Sequence, residues 1–198
     1  MNTVEIANVV EEIDVNPLFR LRHSGRAYDA NQPVTDADLQ ALQEAARWAA
    51  SGGNQQPWRF LIGRKGDGTY EKLLALLMPG NTPWAQHAPV LVLTAFVTHS
   101  IGHTGEKSLN RTAMHDLGMA NAAIALEAAH RGLMAHMMGG YNYAAAKTLI
   151  HAEEQGLDLG PMMSLGYEGD ASHLNEELQK REKAPRVRKP FSELRLHI

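Results

Sequence analysis

Apolar positions recur at helical spacing through Leu39, Leu42, Ala45, Ala46 and Ala49. Ahead of them, Thr35-Asp36-Ala37-Asp38 reads as a capping box with Asp in the place of Glu, so the pattern predicts an amphipathic helix over 36–49. Gly52-Gly53 stops it, and Trp58 to Ile62 reads as a strand. Residues 4–13 are compatible with a short helix, and Pro17 suits the first turn of another running to about His23. Glu71 to Met78 predicts a short helix closed by Pro79-Gly80. The run Pro89 to Val97 is β-branched and apolar on both faces, as a central strand requires. Thr98 to Ser108, rich in Gly and His, reads as a loop.

The longest helical signal covers Ser108 to Arg131. Met114, Leu117, Asn121, Ile124 and Ala128 mark one face, and the other faces are equally poor in charge. A helix that is apolar nearly all round needs cover all round, and a partner subunit is the expected source in a chain of 198 residues. Leu133 to Met138 and Pro161 to Tyr167 read as strands. Tyr143 to Ile150 reads as a helix and Asn175 to Lys183 as a charged surface helix. The tail from Pro185 alternates basic and apolar residues, and Phe191, Leu194 and Leu196 suit addition to another subunit's sheet. Strands and helices alternate only loosely, which places the chain in the α+β class. No internal repeat or low-complexity segment divides it, so residues 1–198 are expected to form a single domain.

Composition narrows the classes of function. Apolar residues make up 44% and charged residues 21%, ordinary values for a globular protein. A net charge of −3 gives no global basic field for nucleic acid. The basic residues cluster at 20–26 and 180–195, which suits a local anion better than a long polyanion. With no cysteine there is no disulfide, no thiolate metal site and no cysteine nucleophile. The first sixteen residues carry Glu5, Glu11, Glu12 and Asp14 and lack a signal pattern. No apolar run is long enough to span a bilayer, and the expectation is a soluble, cytoplasmic protein.

Two motifs and a tail carry the candidate chemistry. Arg22-His23-Ser24-Gly25-Arg26 falls at a predicted helix end, Ser51-Gly52-Gly53-Asn54-Gln55-Gln56-Pro57-Trp58 follows the 36–49 helix, and Arg186-Val187-Arg188-Lys189-Pro190 lies near the end of the sequence. Guanidinium forks match phosphate with paired donors, and Asn and Gln amides match a polar heterocycle. Together they read as a site for flavin mononucleotide (FMN), with Arg22 and Ser24 on phosphate or ribityl oxygens and Arg26 reaching the ring. The plainer readings are a solvated basic turn for the first motif, and a helix stop with Trp58 in the core for the second. Met137-Met138-Gly139-Gly140-Tyr141 follows a strand, where glycines either turn the chain or let backbone approach a flat ring.

Ten histidines occur without an HExxH pattern or a carboxylate paired to two histidines at ligand spacing, so no metal is expected. GxSxG, GxGxxG and Walker motifs are absent.

In order, RHSGR, a helix, SGGNQQPWRF, a strand after Ala88-Pro89, a Gly pair after a strand, and RVRKP resemble the nitroreductase family of FMN-dependent enzymes over about residues 17–195. The NxQPW and RxSxR elements are its specific parts. The resemblance implies an α+β sandwich with a mixed sheet flanked by helices. It also implies an intertwined homodimer with a long central helix, C-terminal strand exchange and two FMN molecules at the interface. By the same resemblance Arg22, Ser24, Arg186 and Arg188, with the His23 backbone, match the phosphate and ribityl contacts. Arg26 matches the basic residue at the N1/O2 edge of the ring. Ser51, Gly52, Asn54 and Gln56 match the loop supplied by the partner chain, and Met138, Gly139 and Gly140 match the backbone near N5. Ala50 stands where the family often has Pro, Gly52 and Gly53 where it often has Ser, and the 98–110 segment is short.

The implied activity is ping-pong transfer of hydride from NAD(P)H through flavin N5 to a nitroaromatic, quinone or activated-alkene acceptor, with no side-chain acid or base. The alternatives are a flavin-binding protein with a sensing or flavin-handling role, a dehalogenating or flavin-fragmenting relative on the same fold, and a dimeric module for another phosphate.

Overall fold

A computed structural model describes residues 14–102 and 104–196, so the helix expected over 4–13 lies outside the described residues. The core is a four-stranded sheet in the order β1 (Trp58–Arg64), β2 (Val90–Val97), β6 (Leu157–Tyr167), β5 (Leu133–Met138). Every pairing in it is antiparallel. A parallel member of the expected mixed sheet has no counterpart among the described residues. β2 is an inner strand with nearly every side chain buried, as its continuous apolar run predicts.

Alternation along the strands feeds two cores. Leu91, Leu93 and Ala95 face one side with Met134, Met138, Trp84 and Tyr70. Val90, Val92 and Phe96 face the other with Leu117, Ile124, Leu39 and Leu42. The first side is covered by α3 (Gly68–Leu76), α4 (Thr82–Ala85), α6 (Tyr143–Leu149) and α7 (Glu176–Lys183). The second is covered by α2 (Asp36–Arg47) and α5 (Ala113–His130). The capping box of α2 forms as read: the Thr35 hydroxyl accepts from Asp38 N–H, and the Asp38 carboxylate accepts from Thr35 N–H.

Two local outcomes differ from the sequence pattern. β6 starts at Leu157 and runs through Pro161, because β6 steps from Met162 to Leu159 while β2 steps only from Leu93 to Ala95. The extra residue at Gly160-Pro161 is a bulge, where a residue without an N–H does no harm to the ladder. The Thr94 hydroxyl closes it by donating to the Pro161 carbonyl at 2.7 Å. The expected 98–108 loop contains a small hairpin, β3 (His99–Ile101) with β4 (Lys107–Leu109), so α5 begins at Ala113 and not Ser108. In keeping with the sequence pattern, α5 is not covered all round by its own chain. Ala113, Leu117, Ala120, Ile124 and Ala128 are buried, while Met114 is 60% exposed and Met119 43%.

The RHSGR motif follows α1 (Leu18–Leu21), a single turn capped by Pro17. In the tail, the described residues after Pro185 form only one 3-10 turn, Phe191–Leu194, with Val187, Phe191, Leu194 and Leu196 exposed. No helix among the described residues is long and apolar enough to cross a membrane.

Candidate functional site

Two adjoining cavities lie beside β5 and β6, one beyond the C-terminal end of β6 and the other reaching the start of β6 and the end of β5. The first, about 870 Å³, is lined by residues 22–27, 168–171 and 181–186 together with Arg188. Six of its side chains are Arg or Lys and three are Asp or Glu, which gives the cleft a basic character. The second, about 670 Å³, lies between α5 and the α5-facing side of β5 and β6. Its walls include Leu117, Gly118, Ala122, Ala125, Ala135, Met137, Gly139, Leu159 and the Gly160-Pro161 bulge. Arg22 and Ser24 line both cavities and join them. A polar, cationic end opening into a largely apolar slot is the usual character of a cofactor pocket.

The RHSGR loop is fixed by what surrounds Gly25. A Cβ there would fall 2.3 Å from Met134 Sδ, so glycine lets the loop lie this close to β5 without displacing that side chain. The Gly25 carbonyl accepts from His136 Nδ1 at 3.0 Å, which identifies the protonated ring nitrogen, since a carbonyl only accepts. Burial, the largest influence, and the Arg26 charge hold the His136 pKa below its ordinary value despite the bond to Gly25, so the ring stays neutral. That ring stacks on Trp84 at 4.5 Å, and Trp84 in turn stacks on Tyr28.

Within this frame the predicted residues separate into groups. The Arg22 guanidinium and the Ser24 hydroxyl have no hydrogen-bond partner among the described residues and stand at the junction of the cavities. Arg186 donates to the carbonyls of Arg20 and, at 2.8 Å, Arg22, stapling the tail to the loop. Burial and the neighbouring Arg188 and Arg22 charges lower its pKa, as expected where cations crowd. Among the described residues Arg188 donates only to the carbonyl of Val187, and His23 Nδ1 donates to Leu21 O at 3.2 Å.

Arg26, matched by resemblance to the ring's N1/O2 edge, is engaged within the chain. Its guanidinium pairs with Glu182 at 3.1 Å and lies 5.7 Å over the Trp84 ring, and Glu182 also accepts its backbone N–H. It lines the basic cleft and not the apolar slot.

At the other end of the slot, strand alternation divides the methionines. Met137 lines the slot, whereas the Met138 side chain is buried in the opposite core. Gly139 lines the slot, and a Cβ there would meet nothing within 4 Å, so the glycine is not a packing requirement and leaves backbone open to the cavity. Gly140 is set back: its carbonyl accepts from Met78 N–H and Asn81 Nδ2, both at 3.0 Å.

The SGGNQQ loop lines neither cavity. It is a single 3-10 turn, Gly52–Asn54, with Gly53, Asn54 and Gln56 at positive φ and Gly52 to Gln55 exposed. Gln56 Nε2 donates to Asn54 Oδ1 at 3.1 Å, and Ser51 Oγ accepts from Gln56 N–H at 3.0 Å. The loop is anchored to the start of α5. There Asp116, buried, accepts from Gly52 N–H at 3.0 Å, from the Thr112 hydroxyl at 3.0 Å and from His115 Nδ1 at 3.1 Å. Burial acts to raise the Asp116 pKa, but these bonds outweigh it and hold the carboxyl below its ordinary value. A Cβ on Gly52 would lie 2.8 Å from Thr112 Oγ1, which explains glycine at that anchor point.

The model of the nitroreductase family matches residues 20–82, which hold both the RHSGR and SGGNQQPW elements. A crystal structure of an oxidoreductase containing FMN is 33% identical, covers 99% of this chain and 96% of its own, and superposes with a TM-score of 0.89. This chain belongs to the nitroreductase family. A Streptomyces coelicolor protein provisionally named NADH dehydrogenase/NAD(P)H nitroreductase is 44% identical over 66 residues, 33% of this chain and 32% of that protein. A Rhodopseudomonas palustris protein with the same provisional name is 29% identical over 130 residues, 58% of this chain and 66% of that one. The chain thus spans about a third of the first relative and just under two thirds of the second.

Nitroreductase-like motifs do not reveal four residues that shape the site. Trp84, His136 and Glu182 hold the RHSGR loop from three different elements, and Asn121 lines the slot from α5. The only sequence signal for Asn121 is an amide amid the apolar and small residues of the long helix. Its Oδ1 is buried and lacks a hydrogen-bond partner, the single such side-chain atom among the described residues. An orphaned acceptor of that kind costs about 1–3 kcal/mol. Among the described residues no group of three or more His, Asp or Glu side chains converges as a metal would require.

Proposed function

We propose that this chain is an FMN-dependent oxidoreductase that draws electrons from NAD(P)H. The observation that carries the reading is the junction at Arg22 and Ser24, where two unpartnered polar side chains connect a basic cleft to an apolar slot. FMN has the matching shape of chemistry: a dianionic phosphate, a polyol and a flat ring. The orphaned Asn121 acceptor and the open backbone at Gly139 fit a ring-and-polyol occupant of the slot. The FMN content of the 33% identical oxidoreductase supports the same assignment.

When bound, FMN supplies hydride acceptance from NAD(P)H and delivery of the electrons to a nitroaromatic, quinone or activated alkene in ping-pong turnover. The chain's own residues bind and orient. Arg22, Ser24 and Arg188 hold the phosphate. Arg186 uses two of its five N–H donors as a staple and directs the remainder to the same anion. The His23 backbone completes that end. Gly139 presents backbone to the ring, with Gly140 fixed behind it by Asn81 and Met138 anchoring the strand end in the core. Arg26 acts as a positioning residue through Glu182 and Trp84. No side-chain acid or base is assigned.

The site is completed by a second copy. Ser51, Gly52, Asn54 and Gln56 line neither cavity, yet they belong to an amide-rich turn anchored to the start of α5. That helix also exposes Met114 and Met119, and α1 exposes Phe19 and Leu21, which makes this surface suited to a homodimer. The tail from Pro185, with Phe191, Leu194 and Leu196 exposed, would reach across the same partner. In this reading residues 1–198 form one domain.

The test is the absorbance spectrum of purified protein supplied with FMN, recorded before and after anaerobic addition of NADH or NADPH. A bound flavin band that bleaches is the expected result. A protein that takes up no FMN sinks the assignment, and bound flavin that stays oxidised with both donors moves the function to flavin handling or sensing.

A further inference from the structure

Six polar side chains are buried among the described residues: Asp38, Thr94, Asp116, Asn121, His136 and Ser164. Five have partners inside the chain. Asp38 accepts from Thr35 and Tyr167, Thr94 donates to Pro161, Asp116 takes three bonds, His136 donates to Gly25, and Ser164 pairs with Tyr28 at 2.8 Å. The sixth, Asn121, is 5% exposed and has an Oδ1 with none.

Folding alone gives no reason for this amide. Leu117 and Ala125, one turn away on either side, line the same slot and are apolar, and leucine at 121 would bury as well without a polar atom to satisfy. Among the described residues, the one buried side-chain atom left without a partner also belongs to a residue that lines the cavity. Protein interiors pair their polar atoms, so a persistent exception next to a cavity points to a counterpart carried by whatever fills it.

We infer that Asn121 is a specificity-determining residue of the slot, its Oδ1 accepting a hydrogen bond from a hydroxyl or N–H donor of the bound molecule. The inference rests on the FMN reading. FMN carries both kinds of donor, the hydroxyls of its polyol and the N–H of its ring imide. An apolar or purely acceptor-bearing molecule of the same size leaves the orphan unsatisfied and is disfavoured.

The experiment compares wild type with Asn121→Leu and, as a variant without added bulk, Asn121→Ala. Flavin-free protein is melted, then titrated with FMN and with lumiflavin, which has the ring imide but neither polyol nor phosphate, by flavin fluorescence. The expected result is an Asn121→Leu protein that melts at or above wild type and binds FMN about tenfold more weakly, the loss of one hydrogen bond. An equal loss toward lumiflavin assigns the donor to the imide, and a loss confined to FMN assigns it to the polyol. Unchanged FMN affinity in both variants overturns the role of Asn121 and leaves the FMN reading standing. A marked fall in the melting temperature of flavin-free Asn121→Leu also overturns it, since it means that the amide serves the fold. Wild type that fails to bind FMN overturns both readings together.

Discussion

The basic cleft and the apolar slot are built by opposite means. The cleft is assembled from loop and tail, held by charged and polar staples: Arg186 on two carbonyls, Arg26 on Glu182, His136 on Gly25. The slot is assembled from a helix and two strands, and its walls are shared with the core that α5 packs against. Side chains of the cleft are therefore free to be selected for ligand, whereas side chains of the slot answer to packing first. Arg22 and Asn121 mark the contrast. Each lacks a partner, but Arg22 stands partly in water where that costs little, and Asn121 stands in the interior where it costs stability.

The largest effect that follows is on the cleft side. Arg22→Ala with Arg188→Ala removes two guanidinium groups proposed to face the phosphate, each charge-assisted bond being worth roughly 1.5–3 kcal/mol. FMN affinity should fall by about 10²- to 10⁴-fold. Flavin-free stability should stay within about 0.5 kcal/mol, because neither side chain holds another part of the chain. Titration calorimetry with FMN and thermal melting of the same samples check both halves. Retained flavin would remove the phosphate from this cleft, and lost stability would erase the distinction between the two regions.

The slot side should respond in the reverse sense. At Gly160 a Cβ would lie 2.4 Å from Leu117 Cδ2 and 2.6 Å from Thr94 Oγ1. Leu117 has some room to turn, but Thr94 is tied to the Pro161 carbonyl across the bulge. Gly160→Ala should push α5 from β6 and destabilise the flavin-free protein by about 1–3 kcal/mol, the usual range for overpacking. FMN affinity should fall less than in the arginine double variant. Chemical denaturation of the flavin-free protein measures the first quantity. An unchanged midpoint would mean that the bulge yields, and that the slot is softer than its packing suggests.

The same division decides how much of the molecule the sequence makes legible. The α+β class and most elements follow from periodicity, because Leu39–Ala49 and Pro89–Val97 bury the faces their patterns present. The arginines of the cleft stand out by type, since clustered guanidinium groups suggest an anion before any fold is known, whereas the amide-rich turn that suggests a heterocycle lines neither cavity. What that chemistry does not encode is direction. Arg26 reads as a second ligand-facing cation, and only the fold reveals Glu182 beside it, 156 residues away in sequence. Nor does pattern locate the start of β6, because a proline inside a central strand is tolerated only at a bulge that no local signal marks. Asn121 is invisible for a related reason. Its importance lies in the lack of a partner, which is a property of the packed core.

His136 is where the two regions meet, and it gives the smallest and most selective effect. Its neighbours Ala135 and Met137 line the slot, while its own ring turns to the other face of β5, onto Trp84 and the Gly25 carbonyl of the cleft loop. Burial lowers its pKa in the folded chain below the ordinary 6.5, so between the two values the unfolded chain binds more protons than the folded one. Stability contributed by the neutral ring is therefore complete above about pH 6.5 and is lost as the pH falls through the folded pKa. The charged ring would also be repelled by Arg26 on the loop it holds, an effect larger than the opposing attraction of Glu182. His136→Gln, neutral at every pH, should flatten the decline in melting temperature between pH 7 and pH 5 relative to wild type. It should also flatten any accompanying loss of FMN affinity, because the loop that carries Arg22 and Ser24 would no longer be released by a proton. Parallel declines in the two proteins would mean that acid acts elsewhere, and that the joint between cleft and slot is held by Trp84 packing without a titratable latch.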